Sequence, residues 1–208
     1  ELTRHVALHD RAVQEGAWRE APDFTFWKRP LVELHGKTMG IVGFGRIGRH
    51  VGRIASAFGM SVLASTHSSR PGVEFGPVSY VDNAEIFERS DVVSLHTPLT
   101  EETDGMVDEE VLGRMKSSAY LVNTARGELV DEPALRRALE DRAIAGAAID
   151  VVAEEPMADD NPLRGAPNCL ITPHMAWTSQ EARSRLISTT ADNIAAFLDG
   201  EPQNVVHQ

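Results

Sequence analysis

The stretch "TMGIV", residues 38 to 42, runs straight into "GFGRIGRHVGRIASAF", residues 43 to 58, and constrains the fold more than any other. An apolar run of strand character meets three glycines, Gly43, Gly45 and Gly48, and then a helical pattern. Glycine is the residue that loses most freedom on folding, so its repetition here marks a backbone that must turn tightly or be approached closely. In a strand, turn and helix context, Gly43 permits the tight turn and Gly45 lets the backbone approach a pyrophosphate. Gly48 then lets the helix lie close on the strand. The phosphates would rest on the helix N-terminus, where free N–H groups and the macrodipole favour negative charge. The pattern alone is weak, and the alternative is a purely structural turn; the strand before it and the helix after it favour a dinucleotide.

The rest of the chain repeats that alternation. "SVLAS" (61 to 65), "DVVSL" (91 to 95), "AYLVN" (119 to 123), "IAGAAID" (144 to 150) and "CLIT" (169 to 172) read as strands. Their near-continuous apolarity suits parallel strands covered on both faces. "IGRHVGRIASAF", "NAEIFERS", "DEEVLGRM" and "EPALRRALED" between them carry apolar residues at helical spacing. The expectation is an α/β, doubly wound, mostly parallel sheet of Rossmann type. Ligands of such sheets bind beyond the carboxyl ends of the strands, so the residues just after each strand matter most.

Composition narrows the partners. With 208 residues, 42% of them hydrophobic, the chain can bury a core, and it fits one domain with appendages better than two full domains. A formal charge of −11 supplies no basic face for nucleic acid. No apolar run is long enough to span a bilayer, and the charged start "ELTRHVALHD" lacks the apolar segment of a secretory signal. A cytoplasmic location is therefore expected. Cys169, the single cysteine, reads as a core thiol. No metal is expected, because no His or Cys cluster has ligand spacing, and His5 and His9 read as a solvated helix face.

At the end of the second strand, where an acidic side chain normally takes the adenosine ribose hydroxyls, stand Ser65, Thr66, His67, Ser68, Ser69 and Arg70. Without the carboxylate, Thr66 and Arg70 suit a ribose 2′-phosphate, which favours NADP over NAD. The alternative is a plain polar loop.

Four post-strand segments carry the remaining chemistry: "HTPLTEET", "NTARGELVDE", "IDVVAEEP" and "TPHMAWTSQEAR". With "PDFTFWKRP" and "GEPQNVV", they resemble the D-2-hydroxyacid dehydrogenase family, most of all its glycerate dehydrogenase (hydroxypyruvate reductase) branch. The resemblance runs over nearly the whole chain. It implies that Arg126 holds the substrate carboxylate and polarises the keto oxygen, a task for a planar fork of donors. It gives His174 the role of general acid, suited by an imidazole pKa near working pH, with His174 also counted among the cofactor contacts. Glu155 is implied as the carboxylate that hydrogen-bonds the histidine, with Glu154 its rival. Asp150 would contact the nicotinamide carboxamide. Arg46 and Ile47 would lie against the pyrophosphate, Thr97, Pro98 and Thr103 would line the adenosine and ribose side, and Thr124 is a further cofactor contact. Trp177 reads either as a pocket wall or as filler of core or interface volume.

The same resemblance divides the chain into an N-terminal helix and dimerisation arm (1 to 36), a Rossmann core (37 to 178) and a C-terminal helix (179 to 208) that would return to a substrate-binding domain largely missing from this chain. Trp18, Phe24, Phe26 and Trp27 match the dimerisation arm, which implies a homodimer; alternatively they cap the domain's own core. The implied reaction is hydride transfer between NADP or NAD and a small D-2-hydroxy or 2-keto acid, such as hydroxypyruvate or glyoxylate. A phosphoglycerate- or phosphite-type dehydrogenase and a non-catalytic nucleotide-binding scaffold remain open alternatives. Formate dehydrogenase, of the same architecture, resembles a glutamine where this chain has Glu155.

Overall fold

In the computed structural model, residues 1–65 and 78–206 are described. A helix α1 (Val6–Gln14) is followed by β1 (Thr38–Val42), α2 (Arg46–Ala57), β2 (Ser61–Ser65), β3 (Val78–Tyr80), α3 (Asn83–Arg89) and β4 (Val92–Leu95). Then come α4 (Glu109–Arg114), β5 (Tyr120–Asn123), a single 3-10 turn (Gly127–Leu129), α5 (Glu132–Glu140), β6 (Gly146–Ile149), β7 (Cys169–Ile171) and α6 (Gln180–Leu198). All strands pair in parallel in the order β3-β2-β1-β4-β5-β6-β7. The order reverses between β1 and β4, the switch point of a doubly wound Rossmann sheet.

The apolar runs form strands because both of their faces are buried. Ile41, Val62 and Ala64 pack with Phe44 and Ala55 in one cluster, while the alternating neighbours Val42 and Leu63 join Ile86, Phe87 and Leu95 in the other. Gly40 is required here: a Cβ would come 2.6 Å from Ile86 Cγ2, so α3 lies directly on β1. At the amino edge of the sheet, burial pushes the Asp91 carboxyl up, but the Thr38 N–H (2.8 Å) and the Lys116 ammonium (3.1 Å) outweigh it and hold it below its ordinary value.

Three details depart from the sequence reading. β3 was not foreseen, being only three residues long and partly exposed at the sheet edge. α1 starts at Val6, because His5 adopts a left-handed backbone (φ 49°) and cannot extend the helix. His9 is no solvated side chain: its Nδ1 donates to the His5 carbonyl (2.7 Å) and its Nε2 accepts from the Lys28 N–H (3.0 Å), tying the segment after α1 back onto the helix.

The chain divides into two compact units, 1–171 and 172–208. The second unit is mostly α6, opened by Ser179, whose hydroxyl accepts from the Ala182 N–H (3.2 Å). Cys169 is partly buried at the start of β7, and burial pushes its thiol up to about 11.

Candidate functional site

Strand register sets the site. Ser65, Val42, Leu95, Asn123 and Ile149 lie side by side across five neighbouring strands. The next row, one residue beyond the strand ends, therefore runs Gly43, His96, Thr124, Asp150 along the carboxyl edge of the sheet.

The glycine turn is built on close approaches. Gly43 has φ 91°, and a Cβ on it would lie 2.6 Å from the carbonyl carbon and oxygen of His96 and 2.7 Å from Thr97 N. A Cβ on Gly48 would overlap the Gly43 carbonyl oxygen, which brings α2 down onto the turn. Gly45 is different: it is the N-cap of α2, and nothing lies within 4 Å of where its Cβ would be. α3, α4 and α5 each open on an aspartate that accepts a backbone N–H, whereas α2 opens on this glycine with no side-chain cap. Its first amides, those of Arg46, Ile47 and Gly48, have no intrahelical acceptor. This is a cradle that a Cβ would fill and an anion would satisfy, so the residues present fit a dinucleotide diphosphate.

Beside the turn is a cavity of about 420 Å³. Gly43, Gly45, Thr97, Pro98 and Thr103 all line it, with Phe44, Ser65, Asp82, Asn83 and His96. Thr103 braces its own loop: the hydroxyl donates to the Pro98 carbonyl and accepts from the Thr100 N–H, both at 2.8 Å. His96 was not singled out from the sequence. Its Nε2 lies 2.9 Å from Ser94 Oγ, and burial in the cavity wall lowers its pKa. Thr66 and Arg70 lie outside the described residues.

The next two strands carry the acid-binding candidates. Asn123, fully buried at the end of β5, donates from Nδ2 to the Arg126 carbonyl (2.7 Å) and accepts at Oδ1 from the Ala125 N–H (3.0 Å). It thus shapes the loop that presents Thr124 and Arg126 to solvent. A Cβ on Gly127 would overlap the Val152 backbone, so the β5 and β6 loops touch there. Asp150 is buried, and its N–H donates to the Asn123 carbonyl (2.9 Å). Glu155 Oε1 accepts from the Val152 N–H (3.2 Å), whereas Glu154, among the described residues, makes no hydrogen bond. The whole segment is anchored by the buried Glu132, which accepts from the Ala153 N–H and from Asn161 Nδ2, both at 2.8 Å. Neither Asn123 nor Glu132 was foreseen as a site-shaping residue.

His174 belongs to the second unit, where it is partly buried at a left-handed φ of 50° with its N–H donating to the Thr172 carbonyl (3.0 Å). Trp177 is half exposed. Among the described residues no group of three or more His, Cys, Asp or Glu is arranged to hold a metal ion, and no helix is long and apolar enough to cross a membrane.

A parallel sheet with a glycine cradle at its switch point defines a dinucleotide-binding domain. Residues 1–176 match the family model of the D-isomer specific 2-hydroxyacid dehydrogenase, NAD binding domain, and the chain belongs to that family. It is 45% identical, over all 208 residues, to a hydroxypyruvate reductase of Blautia hydrogenotrophica, covering 65% of that protein. Among solved structures it resembles an acyclic imino acid reductase in complex with NADPH and D-Arg (TM-score 0.84, 35% identity, 99% of this chain and 64% of that one). It also resembles the D-lactate dehydrogenase with NAD+ from Lactobacillus jensenii (TM-score 0.84, 32% identity, 100% of this chain and 64% of that one). The chain thus spans just under two thirds of the length of these relatives.

Proposed function

We propose that the protein transfers hydride between a nicotinamide dinucleotide and C2 of a small acid, reducing hydroxypyruvate to D-glycerate or glyoxylate to glycolate. The observation that carries this reading is the single row of strand ends. It sets the glycine cradle, the Thr97 to Thr103 wall, the Arg126 loop and the Asp150 to Glu155 loop in sequence along one edge of the sheet.

The amides of the α2 N-terminus receive the diphosphate, and Thr97, Pro98 and Thr103 take the adenosine side. Thr124 and Asp150 orient the carboxamide end. The bound dinucleotide supplies or accepts the hydride. Arg126 holds the substrate carboxylate through a two-pronged set of N–H donors. His174 gives its proton to the keto oxygen as C2 is reduced and takes it back in the reverse direction. Glu155 is the carboxylate assigned to support that imidazole in this reading. The lack of an acid from Ser65 to Arg70 supports NADP as the preferred cofactor. A homodimer formed through the arm before β1, in the cytoplasm, belongs to the same reading.

The test is a substrate panel on the intact protein, with NADH and NADPH, starting from hydroxypyruvate and glyoxylate, alongside His174→Ala. Reduction of either acid, abolished in the variant while dinucleotide binding persists, is the expected result. Turnover undiminished in His174→Ala removes the histidine from the mechanism, and activity confined to phosphite or 3-phosphoglycerate replaces the substrate.

A further inference from the structure

The carboxyl end of β2 lacks an acid, but the neighbouring strand end has one. Ala64 pairs with Tyr80 in the parallel β2–β3 ladder, and the Val81 N–H donates to the Ala64 carbonyl (3.0 Å). Asp82 comes next and so stands beyond the end of β2. On its other side Ser65 is tied to the glycine turn, its carbonyl accepting from the N–H groups of Gly43 (3.2 Å) and Phe44 (2.9 Å). Asp82, Ser65 and Gly43 all line the 420 Å³ cavity, so a carboxylate stands on the wall where the adenosine half of a dinucleotide would lie.

The carboxylate is held in place. Asp82 Oδ1 accepts from the Glu85 N–H at 2.8 Å, which caps α3 and fixes the side chain. Glu85 itself is paired with Arg89 at 2.6 Å, while Asp82, among the described residues, has no ion pair and no second hydrogen bond. One oxygen thus serves the helix, and the other keeps its lone pairs and its share of the negative charge for the cavity. Such a group accepts hydrogen bonds from ribose hydroxyls and opposes a phosphate in the same place.

We propose that Asp82 is a determinant of dinucleotide choice, accepting from the adenosine ribose and disfavouring a 2′-phosphate. The proposal rests on the cofactor reading above and adds to it a charge that the sequence around β2 does not reveal. Whichever dinucleotide the wild-type protein prefers, Asp82 shifts the balance toward the one without the extra phosphate.

Asp82→Asn separates this role from the structural one, because asparagine caps a helix as well as aspartate does. Dissociation constants of the intact protein and the variant for NADH and NADPH are read from nicotinamide fluorescence at low and high salt. For a charge at a solvated site, the variant should bind NADPH about fivefold more tightly and NADH equally or up to about threefold more weakly, and the gain should shrink in high salt. Thermal melting at the wild-type temperature confirms the retained cap. An unchanged ratio of the two constants, or a change equal for both, overturns the role of Asp82 alone. Failure of the wild-type protein to bind either dinucleotide overturns the cofactor reading and this one with it.

Discussion

Gly43 and Gly45 stand two residues apart in one motif, yet the structure asks different things of them. At Gly43 the backbone is left-handed and a Cβ would drive into the His96 carbonyl, so the glycine is a condition of the fold. Gly45 has φ −78°, open to any residue, and empty space before it. Gly43→Ala should therefore cost about 3 kcal/mol or more through strain and displacement of the β4 end, and dinucleotide binding should fall with it. Gly45→Ala should cost no more than about 1 kcal/mol, the difference between glycine and alanine at an N-cap, while weakening NADH binding, because the new methyl stands where the diphosphate approaches. Denaturation curves and dinucleotide titrations on the pair check this; equal stability loss in both variants would show that the motif only shapes a turn.

Among the elements, α5 does more than cover the sheet. Glu132 in its first turn reaches across to Ala153 and Asn161, residues 21 and 29 positions away. Glu132→Ala removes two hydrogen bonds to a buried charged group and leaves both donors without an acceptor, a loss of about 3 kcal/mol. Because those donors fix the segment bearing Glu155, reduction of the keto acid should fall while NADH affinity holds; chemical denaturation and steady-state rates measure the two effects, and an unchanged midpoint refutes the anchoring. This pairing also marks where the sequence stops being legible. β1, β2, β4, β5 and β6 could be read because each is buried or partly buried on both faces and so is largely apolar, and β7, a partly exposed edge strand, because its three residues are all apolar. β3, with only Val, Ser and Tyr at an exposed edge, leaves no such trace. Candidate residues at strand ends were legible for the same reason, since the end of an apolar run is visible. Glu132 read only as an acid in a helix's first turn, and Asn123 only as the last residue of a strand, because their partners are set by how separate loops meet. Asp82 was hidden in the same way: its place beside β2 depends on a strand that the pattern does not announce.

At the scale of the molecule, the segment between α1 and β1 displays its aromatics instead of burying them. Trp18 is 54% exposed, Phe24 83% and Trp27 67%, so these three do not cap the domain's own core, whereas Phe26 is partly buried beside His9. The segment is nonetheless held firmly: Trp18 Nε1 donates to the Phe24 carbonyl (2.9 Å), the Lys28 N–H to His9, the Val32 N–H to the Thr3 carbonyl (2.9 Å), and Arg29 Nη1 to Asn168 Oδ1 (2.5 Å). An apolar surface ordered in advance loses little entropy on association, and aromatic side chains are the usual anchors of interfaces. Ile47, Ile54 and Phe58 add an exposed stripe along one face of α2. The end of that stripe meets the end of the arm, where the Gly36 N–H donates to the Gly59 carbonyl (3.0 Å). The two surfaces meet there, and the homodimer proposed above would use them. If Phe24 and Trp27 are buried there as anchors, each is worth about 2 kcal/mol or more, so the Phe24→Ala, Trp27→Ala double variant should raise the dimer dissociation constant by about three orders of magnitude or more. Sedimentation velocity across a concentration series reads that shift, with dinucleotide binding by the variant showing that the domain remains folded. A wild-type protein that sediments as a monomer at every concentration, or a double variant that dimerises as tightly as wild type, would remove the arm from the assembly.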